Sequence, residues 1–194
     1  MAGFVRHRRS KRVIANFSGF EADLLRSLAA QLIELLHNES AVAKTAVDPF
    51  EALLDFSGPT TEPDDPVLAR LFPNAYREDA DASGEFRRFT EGTLRDGKAR
   101  AAGTVIDVLE EAGLPPEPTD EEIVIDVELD QETAEIWMRA LNDLRLALGT
   151  RLEVDEGDED RWDALSEDDP RAQAHHIYEW LGYLQETLVH AVAG

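Results

Sequence analysis

The stretch "IVIDVEL" (residues 123–129) decides how the rest of the chain can fold. Ile123, Ile125, Val127 and Leu129 alternate with Val124, Asp126 and Glu128, the period of a half-buried strand with one apolar face. A single strand leaves its backbone donors and acceptors unpaired, so it needs neighbours. The segment "FVRHRRSKRVIANF" (4–17) can supply them. Phe4 to Arg8 and Arg12 to Phe17 read as two short strands around "RSK", with Val13, Ala15 and Phe17 on one face. Arg6 or Arg8 opposite Asp126 or Glu128 would contribute about 0.2–1 kcal/mol per cross-strand pair. The expectation is a small antiparallel sheet of an N-terminal hairpin and the strand at 123–129.

Outside these stretches the periodicity is helical. Ser18 with Glu21 has capping-box spacing and opens a helix to about His37, with Phe20, Leu24, Leu28, Leu32, Leu35 and Leu36 on its inner face. Asp48-Pro49 and Asp65-Pro66 each place a capping carboxylate before a helix-starting proline. The first short helix would carry Phe50, Leu53 and Leu54, and the second Leu68, Leu71 and Phe72. Ser83 is positioned to cap a long helix ending at Gly113, with Phe86, Phe89, Ala101, Val105, Val108, Leu109 and Ala112 inward. Gly92, Gly97 and Gly103 each cost about 1 kcal/mol relative to Ala inside a helix, which suggests a bend or a close backbone approach.

Asp130 caps a helix carrying Ala134, Trp137, Leu141, Leu144 and Leu148, stopped by Gly149. Glu135, Arg139 and Asp143 read as an exposed ladder of opposite charges. The last helix, from about Pro170, buries Ile177, Trp180, Leu181, Leu184 and Leu188. The expected fold is therefore α+β and mainly α-helical, a helical bundle with a small antiparallel sheet. One domain spans residues 1–194, with loops near 38–47, 55–65, 74–83 and 114–121 and an acidic loop at 153–169. The 194-residue length allows one sizeable core.

Composition narrows the chemistry. There is no cysteine, which excludes disulfides, thiolate metal sites, a cysteine nucleophile and a thiol switch. The net charge is −22; without Arg6, Arg8, Arg9, Lys11 and Arg12 it is fourteen positive against forty-one negative, or −27. Such a field repels phosphate backbones over most of the surface and confines any nucleic-acid contact to a few basic positions. No apolar run approaches the roughly 20 residues of a membrane helix. No apolar segment follows the basic N-terminal residues, so no secretory signal is read and a cytoplasmic location is expected.

His175, His176 and Glu179 place two metal ligands one helical turn apart, but no third ligand lies nearby in sequence, so solvated or capping roles are the better reading. The run at 153–169, ten acidic side chains with Arg161, lacks the ordered spacing of a calcium loop. Trp162 within it is expected to pack back on the helices. No phosphate-cradling glycine motif and no nucleophile elbow is present. The reading is a non-enzyme without cofactor or metal, and the candidate binding residues, for a partner or nucleic acid, are Arg6, Arg8, Arg9, Lys11 and Arg12. A second basic group, Arg87, Arg88, Arg95, Lys98 and Arg100, is spread around its helix among Glu91 and Asp96.

Four segments, "EADLLRSLAAQLIELL" (21–36), "DDPVLARLFPNAYREDAD" (64–81), "WMRALNDLRLALGTRLEV" (137–154) and "YEWLGYLQETLVHAV" (178–192), resemble an actinobacterial domain-of-unknown-function family. Its genes usually lie beside that of the ClpS proteolytic adaptor, and some members form the AosR-like group of oxidative-stress transcriptional regulators. The resemblance spans about Phe4 to Val192. It implies a regulatory role through protein partners: a sigma factor, RNA polymerase or a Clp-system component. Modulation of ClpS-linked proteolysis and direct DNA binding through the hairpin are the alternatives. The thiol-based sensing suggested for the group needs a cysteine pair, which this chain lacks.

Overall fold

A computed structural model describes residues 3–42, 58–117, 123–166 and 168–194. Its sheet has the order β1-β2-β3, from β1 (Val5–Arg6), β2 (Val13–Ser18) and β3 (Val124–Leu129). Both pairings are antiparallel, Val5 to Ile14 for β1–β2 and Val13 to Leu129 through Ser18 to Val124 for β2–β3. Val13, Ala15, Phe17, Ile125, Val127 and Leu129 are all buried on the inner face, as their alternation predicts. The expected pairing of Arg6 or Arg8 with Asp126 or Glu128 is corrected, because β2 lies between β1 and β3. Asn16 donates to the Asp126 carboxylate, and Arg12 meets Glu128 at 3.6 Å.

Six helices follow among the described residues: α1 (Gly19–Val42), α2 (Pro66–Leu71), α3 (Ala80–Glu111), α4 (Gln131–Leu152), α5 (Glu159–Asp163) and α6 (Pro170–Ala193). The chain is thus α+β and mainly helical. The expected helix after Asp48-Pro49, with Phe50, Leu53 and Leu54, lies outside the described residues. In the capping box of α1 the Glu21 carboxylate accepts from the Ser18 N–H at 2.9 Å, and the Glu21 N–H donates to Ser18 Oγ at 3.2 Å. α1 continues past His37, and its buried stripe is Ala22, Leu25, Ala29, Leu32 and Leu36. Phe20 is 79% exposed, and Leu24, Leu28 and Leu35 flank the stripe. The alanines set the inner face because they let α1 lie close to α3, its main neighbour.

Asp65 caps α2 by accepting from the Val67 and Leu68 N–H groups at 2.7 and 3.2 Å. Asp79, not Ser83, caps α3, accepting from the Ala82 N–H at 2.9 Å. Ser83 lies a turn inside the helix, where its Oγ donates to the Tyr76 carbonyl and accepts from the Tyr76 N–H. The inner face of α3 also differs from expectation. Phe86 and Phe89 are exposed, while Arg87, Glu91 and Arg95 are buried. One Glu91 oxygen accepts from Arg87 at 2.5 Å and the other from Arg95 Nη2 at 2.7 Å. Arg87 also donates to the Phe72 carbonyl, and Arg95 to the Leu36 carbonyl while stacking over the Phe72 ring at 4.8 Å. The triad therefore joins α3 to α1 and to the end of α2. A methyl group added at Gly92, Gly97 or Gly103 would meet nothing within 4 Å, so no close approach explains these glycines.

α4 begins at Asp130, which accepts from the Thr133 N–H at 2.9 Å. Asp143 is not on an exposed ladder; it is 3% exposed and accepts from Lys98 of α3 at 2.7 Å. Gly149 does not end α4. The helix closes a turn later on Glu153, which adopts the left-handed conformation at φ 54°, and the Val154 N–H returns to the Gly149 carbonyl. Gly149 instead makes room for α6, since a Cβ there would stand 2.9 Å from the Tyr178 ring. Trp137 of α4 packs with Phe4 and Phe17 at centroid distances of 5.8 and 6.4 Å, so the sheet closes directly on the bundle. Within 153–169, α5 turns Trp162 inward to 7% exposure, the packing expected of it.

Two outcomes follow. Glu91→Ala would leave two guanidinium groups buried without their shared carboxylate, a loss of about 3–5 kcal/mol measurable by urea unfolding. Burial pushes the Asp65 carboxyl up, but hydrogen bonds from Arg151, Leu68 and Val67 outweigh it and hold it below its ordinary 3.8. The N–H of Thr133 lowers Asp130 and the side chain of Arg171 lowers Asp169. A carboxylate with a depressed folded value stabilises above its ordinary pKa and loses that contribution as pH falls through the folded value. The stability gap between wild type and the Asp65→Asn, Asp130→Asn, Asp169→Asn variant should be full at pH 7 and close progressively as pH falls below about 3.8. A gap of equal size at pH 7 and pH 2.5 in thermal melts would contradict it.

Candidate interaction surface

The five basic residues of the hairpin do not share one environment. Arg6 pairs with Val13 across the strands and faces inward, where its guanidinium donates to the Val192 carbonyl at 3.1 Å. That carbonyl belongs to the last turn of α6, where a helix has unsatisfied acceptors and partial negative charge. Arg6 thus caps a helix end, and the neighbouring Phe4 N–H donates to Thr187 Oγ1 of α6 at 3.1 Å. Arg12 is held toward Glu128 by an exposed ion pair, worth little on its own.

The turn between them is locally determined. The His7 N–H donates to the Arg12 carbonyl at 2.8 Å, and the Lys11 N–H to the His7 carbonyl at 3.0 Å. His7 Nδ1 accepts from the Ser10 N–H at 3.2 Å. Lys11 closes the turn in the left-handed region at φ 61°, at a cost of about 1–2 kcal/mol for a residue with a side chain. The outcome is that Arg8, Arg9 and Lys11 are exposed at the tip, without an ion pair among the described residues. The structure therefore divides the candidate set, with Arg6 and Arg12 held by Val192 and Glu128, and Arg8, Arg9 and Lys11 exposed without an ion pair among the described residues.

The second basic group separates in the same way. Arg87 and Arg95 are buried, Lys98 is paired with Asp143, and Arg100 donates to the Asp96 carbonyl within its own helix. Their periodicity matched that of a solvated helix, and nothing local marked the positions that turn inward. His175 faces Trp162 in a parallel stack at 4.3 Å, and its Nδ1 stands 3.9 Å from Glu179. Among the described residues no three His, Cys, Asp or Glu side chains come together as metal ligands.

Sequence reasoning missed the surface built around that stack. Arg161 lies over Trp162 at 4.8 Å, Tyr178 follows His175 at 6.0 Å, and Arg145 covers Tyr178 at 5.1 Å. This column fastens α5 to the junction of α4 and α6, with Glu179 and Glu186 along the adjoining groove. The isolated Trp162 in an acidic run was the one signal for it. No described helix is long and apolar enough to cross a membrane.

The whole-chain comparisons agree with one another. A Mycobacterium tuberculosis protein named "Oxidative stress regulator AosR" is 31% identical over 204 residues, 98% of this chain and 86% of that protein. The protein of the same name from Mycobacterium bovis matches to the same extent. A Mycobacterium leprae relative is 32% identical over 186 residues, 89% of this chain and 78% of its own. No solved structure matches the chain. The family model described as "Domain of unknown function (DUF2017)" covers residues 1–192, and the chain belongs to that family.

Proposed function

We propose that the chain is a non-enzymatic, cytoplasmic regulatory protein that acts through a protein partner in transcription or the stress response, and that Arg8, Arg9 and Lys11 contact that partner. The observation that carries the reading is the ordered turn holding three exposed cations without an ion pair among the described residues. Relatives over nearly the whole chain bear the name of an oxidative-stress regulator, which supports the regulatory part. The partner that this reading requires presents an acidic patch to the tip, and the resemblance implies a sigma factor, RNA polymerase or a Clp-system component. With no cysteine in the chain, its input is something other than oxidation of its own thiols.

The test separates contact from scaffold. Replacing Arg8 and Arg9 by Ser, and Lys11 by Asn, keeps a residue tolerant of positive φ at the turn. This variant should stay within about 0.5 kcal/mol of wild-type stability, as exposed substitutions do. It should lose the partner that the wild type captures from native extract after crosslinking. Arg6→Ala should instead cost about 1.5–3 kcal/mol through loss of a charged hydrogen bond. Capture of the same partner by the triple variant defeats the proposed contact. Salt-steep binding of duplex DNA that the same variant abolishes would make nucleic acid the target instead.

A further inference from the structure

Among the described residues strand β3 has one neighbour, and the register shows which of its backbone groups face away from it. The Gly19 N–H donates to the Ile123 carbonyl at 3.0 Å, which makes Gly19 and Ile123 facing hydrogen-bonded positions. Hydrogen-bonded and non-bonded pairs alternate along an antiparallel ladder. Ile125, Val127 and Leu129 therefore bond to Phe17, Ala15 and Val13 of β2, and the N–H and C=O groups of Val124, Asp126 and Glu128 point to the opposite edge. Those groups have no backbone partner among the described residues. Val124 is 66% exposed, and Asp126 and Glu128 are exposed beside it.

An open edge of this kind is a template for another strand. Two occupants are possible in principle, a second copy of this chain or a different extended segment. Self-pairing that uses all three residues would be centred on Asp126, with Asp126 facing Asp126 and Val124 facing Glu128. Like charges directly opposite each other destabilise a strand pair. The β2 partner of Asp126 is the neutral Asn16, so that pairing brings no cation to it. The outer face of the edge thus disfavours a copy of itself and favours cationic side chains.

We infer that the free edge of β3 binds an extended peptide segment carrying Lys or Arg at alternate positions, which adds a fourth strand to the sheet. The segment's backbone meets Val124, Asp126 and Glu128, and its basic side chains lie beside Asp126 and Glu128. This surface is separate from the tip of the β1–β2 turn, so it stands whether or not Arg8, Arg9 and Lys11 contact a partner.

The probe is a fluorescent decapeptide in which Lys alternates with Val and Thr. Two controls carry Glu in place of Lys, or N-methyl groups on every second amide. The Lys peptide should bind roughly ten-fold or more tightly than the Glu peptide, as charge complementarity requires. N-methylation should abolish binding, and the bound protein should gain amide-exchange protection at Val124, Asp126 and Glu128. Asp126→Pro removes an outward N–H, which an edge strand tolerates, together with the carboxylate that accepts from Asn16, and should abolish binding with the fold intact, whereas Asp126→Ala removes the same carboxylate and keeps the N–H. Asp126→Ala should weaken the Lys peptide but still bind it.

Equal binding of the N-methylated peptide would reduce the contact to bulk charge and overturn the inference. Absence of peptide binding, or absence of protection at the three amides, would overturn it too. A wild-type dimer that Asp126→Pro converts to monomer would assign the edge to a second copy instead.

Discussion

Glu91 is 2% exposed and lies between two guanidinium groups, and the relative placement of α1, α2 and α3 depends on that arrangement. A buried carboxylate is tolerable only when paired and hydrogen-bonded. Here both oxygens accept, one from Arg87 and the other from Arg95. Arg87 also donates to the Phe72 carbonyl at the end of α2 and to Asn74 Oδ1, and Arg95 to the Leu36 carbonyl of α1. An apolar triad of equal volume would pack as tightly, but it would not specify which carbonyls it meets. The ionic version ties three elements together in one arrangement, at the cost of desolvating three charges.

Much of the frame was legible because its signals are local. Ser18 with Glu21, Asp65 before Pro66, and Asp130 each act within a turn of their own position, and each caps as its spacing implies. The alternation of β3 could be read because one face must be apolar when only one face is buried. Errors arose where burial and polarity part company. Periodicity assigned Phe86 and Phe89 to the interior of α3 and left the cations spread around the helix, whereas the structure exposes both rings and buries Arg87 and Arg95. The stems of Arg87 and Arg95 serve as apolar filling, a role that residue polarity does not reveal. Asp143 failed for a related reason, since a carboxylate four residues from Arg139 fits an exposed ladder as well as an interhelical pair with Lys98.

The site was legible only as a set. Five cations in seven positions look equivalent in sequence, and the distinction among them comes from contacts across nearly the whole chain. Arg6 is assigned to the α6 terminus by an acceptor 186 positions away, and Arg12 to Glu128 by strand order. Strand order in turn follows from connectivity. β2 runs straight into α1, whose inner face must reach the bundle, so β2 takes the central place and β1 is left at the edge.

Strand order also determines how the remaining positive charge can be used. The molecule carries −22 overall, and the hairpin cations without an ion pair among the described residues are Arg8, Arg9 and Lys11. Three phosphate contacts give a salt slope of only about −2.7, little for an acidic protein to hold a duplex with. An acidic patch on a folded partner makes a smaller demand. It presents a few fixed carboxylates within reach of a turn that is already ordered by His7, Ser10 and the positive φ of Lys11. Contact at the tip then costs little further ordering. Asp126 facing Asp126 likewise disfavours pairing of two copies through β3. In the proposed function, local cations and a repulsive surround suit a partner of different composition better than either nucleic acid or self.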